Sequence, residues 1–129
     1  MHKNHYRMFF SILVLAGVLS ACAGASHRAL DVEGNQVTIL ADSFSFNPSV
    51  IRVEPDTVLE ITLENVAALG HNLAIKDPDG RTIVNQDVAA GASERIRVKL
   101  ERPGIYEFYC DKPLHPSLGM KGEIRVEAR

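Results

Sequence analysis

Cysteine is scarce in this chain: 129 residues hold two, Cys22 and Cys110. Cys22 falls in the amino-terminal segment treated below, so no pair remains for a disulfide framework, and the thiol left in the body of the chain needs another use. An excess of charge is lacking as well. Fourteen Lys and Arg stand against 16 Asp and Glu, a formal net charge of −2, which leaves no basic footprint for nucleic acid. There is no internal repeat, and outside the first twenty or so residues no helical amphipathic run. The length allows one domain.

The amino terminus reads as a leader rather than as part of a fold. Lys3 and Arg7 form a charged start, Met8 to about Leu19 an apolar run too short to span a bilayer, and Leu19-Ser20-Ala21-Cys22 follows with small residues before a cysteine. The tetrad resembles a bacterial lipobox, which makes residues 1–21 a lipoprotein signal peptide and Cys22 the lipid-modified first residue of the mature chain. The alternative is an ordinary secretory leader cut between Ala23 and Ser26. Removing Lys3 and Arg7 subtracts two positive charges and takes the mature chain from −2 to −4. His2 and His5 leave with the leader. Residues 22–34 are small, polar and aperiodic, as suits a flexible tether, with His27 solvated in it. Twelve or so residues reach at most about 40 Å extended and roughly 20 Å on average.

Against these absences stands one dense stretch, Tyr109 to Met120. It places a thiol, an imidazole and a thioether on a short loop as Cys110-x4-His115-x4-Met120. These are the side chains that a soft, redox-active metal prefers, and a trigonal Cys with two His and a weak axial Met describes an electron-transfer copper centre. That set needs one more imidazole, which Gly70-His71-Asn72 supplies at what reads as the start of a strand. Taken singly, a lone Cys or Met is usually core and a lone His usually solvated. The joint spacing is what carries the signal. Pro113 and Pro116 fix φ on either side of His115, and Gly119 permits a bend before Met120.

Gly70-His71-Asn72, then Tyr106-x-Phe108-Tyr109-Cys110-x4-His115-x4-Met120-x-Gly122, closed by Ile124-x-Val126, resembles the type 1 copper signature of the cupredoxins, from about Gln36 to about Glu127. The resemblance implies one copper ion held by His71, Cys110 and His115 with Met120 axial. It further implies a Gly70 carbonyl near the metal in azurin-like members and an Asn72 that ties the two ligand segments together. Leu114 departs from the pattern, since many relatives have Gly there.

The remaining sequence alternates as strands do. Val37 and Ile39, Ile51 and Val53, Leu59, Ile61 and Leu63, Leu73 and Ile75, then Ile96, Val98 and Leu100 alternate with polar neighbours. Asp77-Pro78-Asp79-Gly80 and Pro103-Gly104 are turns. Tyr106, Phe108 and Cys110 share a face, which points the thiol inward at the end of a strand. Residues 35–129 are therefore expected to form an all-β, antiparallel Greek-key β-sandwich of seven or eight strands, with a short irregular turn between Asn85 and Ala92.

Three histidines remain in the mature chain, His27, His71 and His115, too few for further metals or an open catalytic copper. A Cys-His hydrolase would leave Met120 idle and has no marked oxyanion hole. No catalytic residue is assigned. What the residues and the resemblance imply is a monomeric blue copper protein, tethered outside the cytoplasm to a bacterial membrane, on the periplasmic side if the host has two. It would shuttle single electrons between redox proteins such as a c-type cytochrome or an oxidase. The alternative is an extracytoplasmic copper carrier or buffer. Leu114 and Leu118 beside His115 are expected either to dock the partner or to shield the metal from water.

Overall fold

The structure, a computed structural model, describes residues 28–129. The expected leader, the lipidation site Cys22 and His27 lie outside the described residues. Ten strands follow one another with no helix among the described residues: β1 (Leu30–Asp31), β2 (Gln36–Asp42), β3 (Ser45–Asn47), β4 (Val50–Val53), β5 (Thr57–Asn65), β6 (His71–Lys76), β7 (Thr82–Val88), β8 (Ser93–Leu100), β9 (Gly104–Tyr109) and β10 (Lys121–Val126). Alternation produces them: a strand turns successive side chains to opposite faces, so one apolar residue in two suffices to bury one face. Val37, Ile39 and Ala41 of β2, Leu59, Ile61 and Leu63 of β5, and Ile96, Val98 and Leu100 of β8 are all buried between exposed or half-buried neighbours, most of them polar.

Two sheets pack face to face over this apolar layer, one in the order β1-β4-β10-β9-β6-β7, the other β3-β2-β5-β8. The architecture is the expected all-β sandwich. Its strands are more numerous than seven or eight, because β1 and β3 have two and three residues, too short to register as alternation. Both sheets are mixed rather than antiparallel: β4 runs parallel to β1 and β10, and β2 parallel to β5. The chain passes from β2 and β3 to β4 in the opposite sheet before returning as β5, and such a crossover brings β5 back parallel to β2. Alternation dictates which face is buried; it says nothing of direction.

Two boundaries differ from expectation. The folded body begins inside the segment read as a tether, because Leu30 pairs with Ile51 and Val32 is buried in the core. The connection expected from Asn85 onward is strand as far as Val88, where β7 pairs with β6 from Lys76 back to His71.

Two neighbouring strands of the larger sheet deliver the segments that matter. β9 lies between β10 and β6, and Phe108, fully buried, meets Phe46 of the opposite sheet edge to face at 5.5 Å. Gly122 sits across from Phe108 in the β9–β10 register, where a Cβ would overlap the Phe108 ring and the Ser49 carbonyl. Only glycine fits there without displacing β9, and β9 leads directly into Cys110.

Candidate metal centre

His71 is the first residue of β6, and Cys110 immediately follows β9, its antiparallel neighbour. Register alone thus brings the imidazole and the thiol to one end of the sandwich. The chain then leaves β9 in a loop that returns as β10. Inside it the His115 amide donates to the Lys112 carbonyl, the Leu118 amide to the Leu114 carbonyl and the Gly119 amide to the Pro116 carbonyl. The loop closes on itself. The Met120 amide donates to the His115 carbonyl at 3.0 Å, and the Cys110 amide to the Met120 carbonyl at 3.1 Å. Gly119 makes the return at φ +105°, a conformation that costs glycine little.

The donor atoms of His71, Cys110 and His115 lie within 4.8 Å of one another. Both rings turn the same nitrogen inward: Nδ1 of His71 and Nδ1 of His115 are 3.1 Å apart, and Cys110 Sγ is 3.9 Å and 3.3 Å from them. A neutral imidazole carries one N–H, and Nε2 of His71 is buried with no hydrogen-bond partner among the described residues. No arrangement of protons satisfies three donors aimed at one point as well as a shared cation does, and thiolate and imidazole bond lengths of about 2.0–2.3 Å fit these separations. The donor set therefore fits a metal ion. Met120, fully buried, adds a thioether to the same closed loop.

Burial grades the two histidines. His71 is 2% exposed, whereas His115 is half-buried, with Phe44 edge-on at 5.1 Å. Burial pushes the His71 imidazole below its ordinary value and the nearby His115 adds to this, with Asp42 opposing. A depressed imidazole stays deprotonated, as a ligand must, to lower pH. Leu114 and Leu118 are exposed in the loop that carries His115, and Val66 and Leu69 are exposed on the segment that leads into His71.

Asn72 is buried and spans the two segments. Its Oδ1 accepts the Asp111 amide at 2.7 Å, and its Nδ2 donates to Oδ1 of Asn85, whose own Nδ2 donates to Asp111 at 3.1 Å. A ring of three side chains thus links β6, β7 and the residue after Cys110. Gly70 lies exposed immediately before His71. Asn85 and Phe44 are absent from the sequence expectation. Asn85 looks like any polar residue on the wet face of a strand, but an aromatic in the turn Asp42-Ser43-Phe44-Ser45 was a usable signal.

Known proteins agree with this geometry. Residues 33–127 match the family of copper binding proteins described as plastocyanin/azurin. The chain is 28% identical over 120 residues to the major isoform of chloroplastic plastocyanin from Arabidopsis thaliana, which covers 84% of this chain and 70% of that protein. In fold it resembles dithionite-reduced auracyanin from the photosynthetic bacterium Roseiflexus castenholzii (TM-score 0.67, 21% identity, 75% of this chain and 100% of that one). It also resembles the metal binding domain of the Cu(I) exporting P-type ATPase CopA of Streptococcus pneumoniae D39 with Cu(I) (TM-score 0.61, 17% identity, 79% and 98%). Copper is the metal that the family binds, and His71, Cys110, His115 and Met120 are positioned here as a type 1 copper site. With most of its length matched and the donors gathered where two neighbouring strands end, the chain belongs to the plastocyanin/azurin family of copper binding proteins.

Proposed function

We propose that this protein is a one-electron carrier, lipid-anchored through Cys22 outside the cytoplasm, with His71, Cys110 and His115 as copper ligands and Met120 as the weak axial contact. The observation that carries this is the convergence of two Nδ1 atoms and one Sγ within 4.8 Å, with His71 and Cys110 buried and His115 half-buried. Copper, when bound, supplies the Cu(II)/Cu(I) couple. The chain's part is to keep the donors still and to exclude water. Cys110 and Met120 are fully buried and joined through the main chain, and His115 is held by the same loop. A donor set that is already assembled has little to rearrange when charge changes, which suits electron transfer.

The test is the visible and paramagnetic spectrum of the copper-loaded protein. Intense blue colour that Cys110→Ser abolishes, with the β-sandwich intact, is the expected result. A colourless protein that binds copper equally well without Cys110 contradicts it. The same fold occurs in a Cu(I) exporter's metal binding domain, so metal delivery is the competing function. Slow copper loss with reversible one-electron voltammetry favours the carrier of electrons; rapid exchange with a chelator favours the carrier of metal.

The half-buried edge of His115, with Leu114 and Leu118 beside it, is the proposed docking face for a redox partner. Leu114→Glu should leave spectrum and potential unchanged and slow electron transfer. A shifted spectrum would instead mark Leu114 as a shield. For the anchor, mass spectrometry should find lipid on Cys22, and Cys22→Ala should block processing.

A further inference from the structure

We propose that Asn65, the last residue of β5, is a positioning residue that sets the orientation of the His71 imidazole. A metal-binding histidine is ordinarily steered by a hydrogen bond from its second ring nitrogen. His71 lacks one: Nε2 is buried and has no partner among the described residues. Its ring direction must then come from the backbone that carries it and the walls around it.

That backbone is held by Asn65. The residue is 2% exposed, and its side-chain amide makes only backbone contacts. Nδ2 donates to the carbonyl of Leu69 at 2.8 Å, two residues before His71. It also reaches the carbonyls of Ala89 at 3.1 Å and Val88 at 3.3 Å. Val88 is the register partner of His71 across the β6–β7 ladder. Oδ1 accepts the Ala67 amide at 3.0 Å and folds the 66–69 segment back over the end of β5. One side chain therefore fixes both the segment that enters His71 and the strand that lies against it. Main-chain bonds from Asn65 to Ala92 and from Val66 to Ala41 anchor the clamp itself in the second sheet. Removing it leaves up to three carbonyls, that of Val88 in a buried contact, and one buried amide short of a partner, and buried groups rearrange rather than stay unpaired.

This inference rests on His71 as a metal ligand, so its decisive readouts use metal-free protein. In Asn65→Ala the Ala67 amide should exchange roughly tenfold or more faster, and the His71 ring ¹⁵N signals should shift or double. After copper loading, the visible band and the reduction potential should move. Val53→Ala is the control: Val53 is buried where β4 pairs with the far end of β10, away from the ligands. At matched loss of thermal stability it should change neither ring signals nor band. If Asn65→Ala fails to fold, wild-type protein still decides, because hydrogen-bonded Nδ2 protons exchange slowly and solvent-fast ones overturn the clamp. Unaltered His71 ring signals and copper band in a folded Asn65→Ala protein also overturn it. A colourless copper complex in the wild type sinks the electron-carrier function instead and leaves the metal-free result standing.

Discussion

Leu114 holds φ at +69°, in the left-handed region that costs an L-residue about 1–2 kcal/mol and glycine almost nothing. This is the physical content of its departure from the cupredoxin pattern that the sequence resembles. The chain keeps a strained leucine where an unstrained residue was open to it, and that leucine is 72% exposed beside His115. Leu114→Gly trades the strain for about 0.4–1 kcal/mol of unfolded-chain entropy. Stability of the metal-free protein should rise by up to about 1 kcal/mol in urea unfolding, and a fall of that size would show that Leu114 packs after all. Met120 is the opposite case, fully buried and with its main chain bonded to both His115 and Cys110, so its side chain can be exchanged without moving the loop. A thioether stabilises Cu(I) better than an oxygen donor does. Met120→Gln should lower the reduction potential and Met120→Leu raise it; voltammetry that finds both unmoved would make Met120 core packing only.

Among the elements, those that bear ligands were the most legible. The inward thiol after β9, the strand that begins at His71 and the bend at Gly119 follow from period-two alternation and from the conformations open to proline and glycine. What was illegible has one cause: alternation names the buried face of a strand but neither its partner nor its direction. The parallel β2–β5 pair, two-residue β1 and the three-sided ring of Asn72, Asn85 and Asp111 each depend on which strands become neighbours. The turn after β6 was legible as a turn but not as a charge site. Asp77, almost buried, accepts the amides of Arg81 and Asp79 and the Arg81 guanidinium, and these bonds, the Arg81 amide first, hold its carboxyl below the usual carboxylate range. A depressed folded-state pKa means stability that is present above the unfolded value, near 3.9, and lost as pH falls through the folded one. Asp77→Asn should therefore unfold more easily at pH 7, and the gap from wild type should close in acid well below pH 4. A gap that persists there in pH-dependent thermal melts would assign the effect to packing.

The whole molecule is polar in the geometric sense, with every proposed ligand at one end. β1 runs parallel to β4 and through it to β10, whose first residue, Lys121, follows Met120. The amino-terminal end of β1 therefore points toward the copper end. Because β1 draws Leu30 and Asp31 into the sheet, only eight residues, Cys22 to Ala29, separate it from the proposed lipid site, a span of at most about 28 Å rather than about 40 Å. With lipid on Cys22, as proposed, the domain stays within about 28 Å of the bilayer, and a partner embedded there would meet His115 at high effective concentration. A flexible link dilutes that encounter as roughly the 3/2 power of its length. Inserting eight Gly and Ser residues between Ala23 and His27 should then slow electron transfer to a membrane-bound partner about threefold. Transfer to a soluble acceptor, which the link does not confine, should keep its rate. Equal slowing with both acceptors would show that the insertion disturbs the domain, and no slowing with either would show that the tether does not set the encounter.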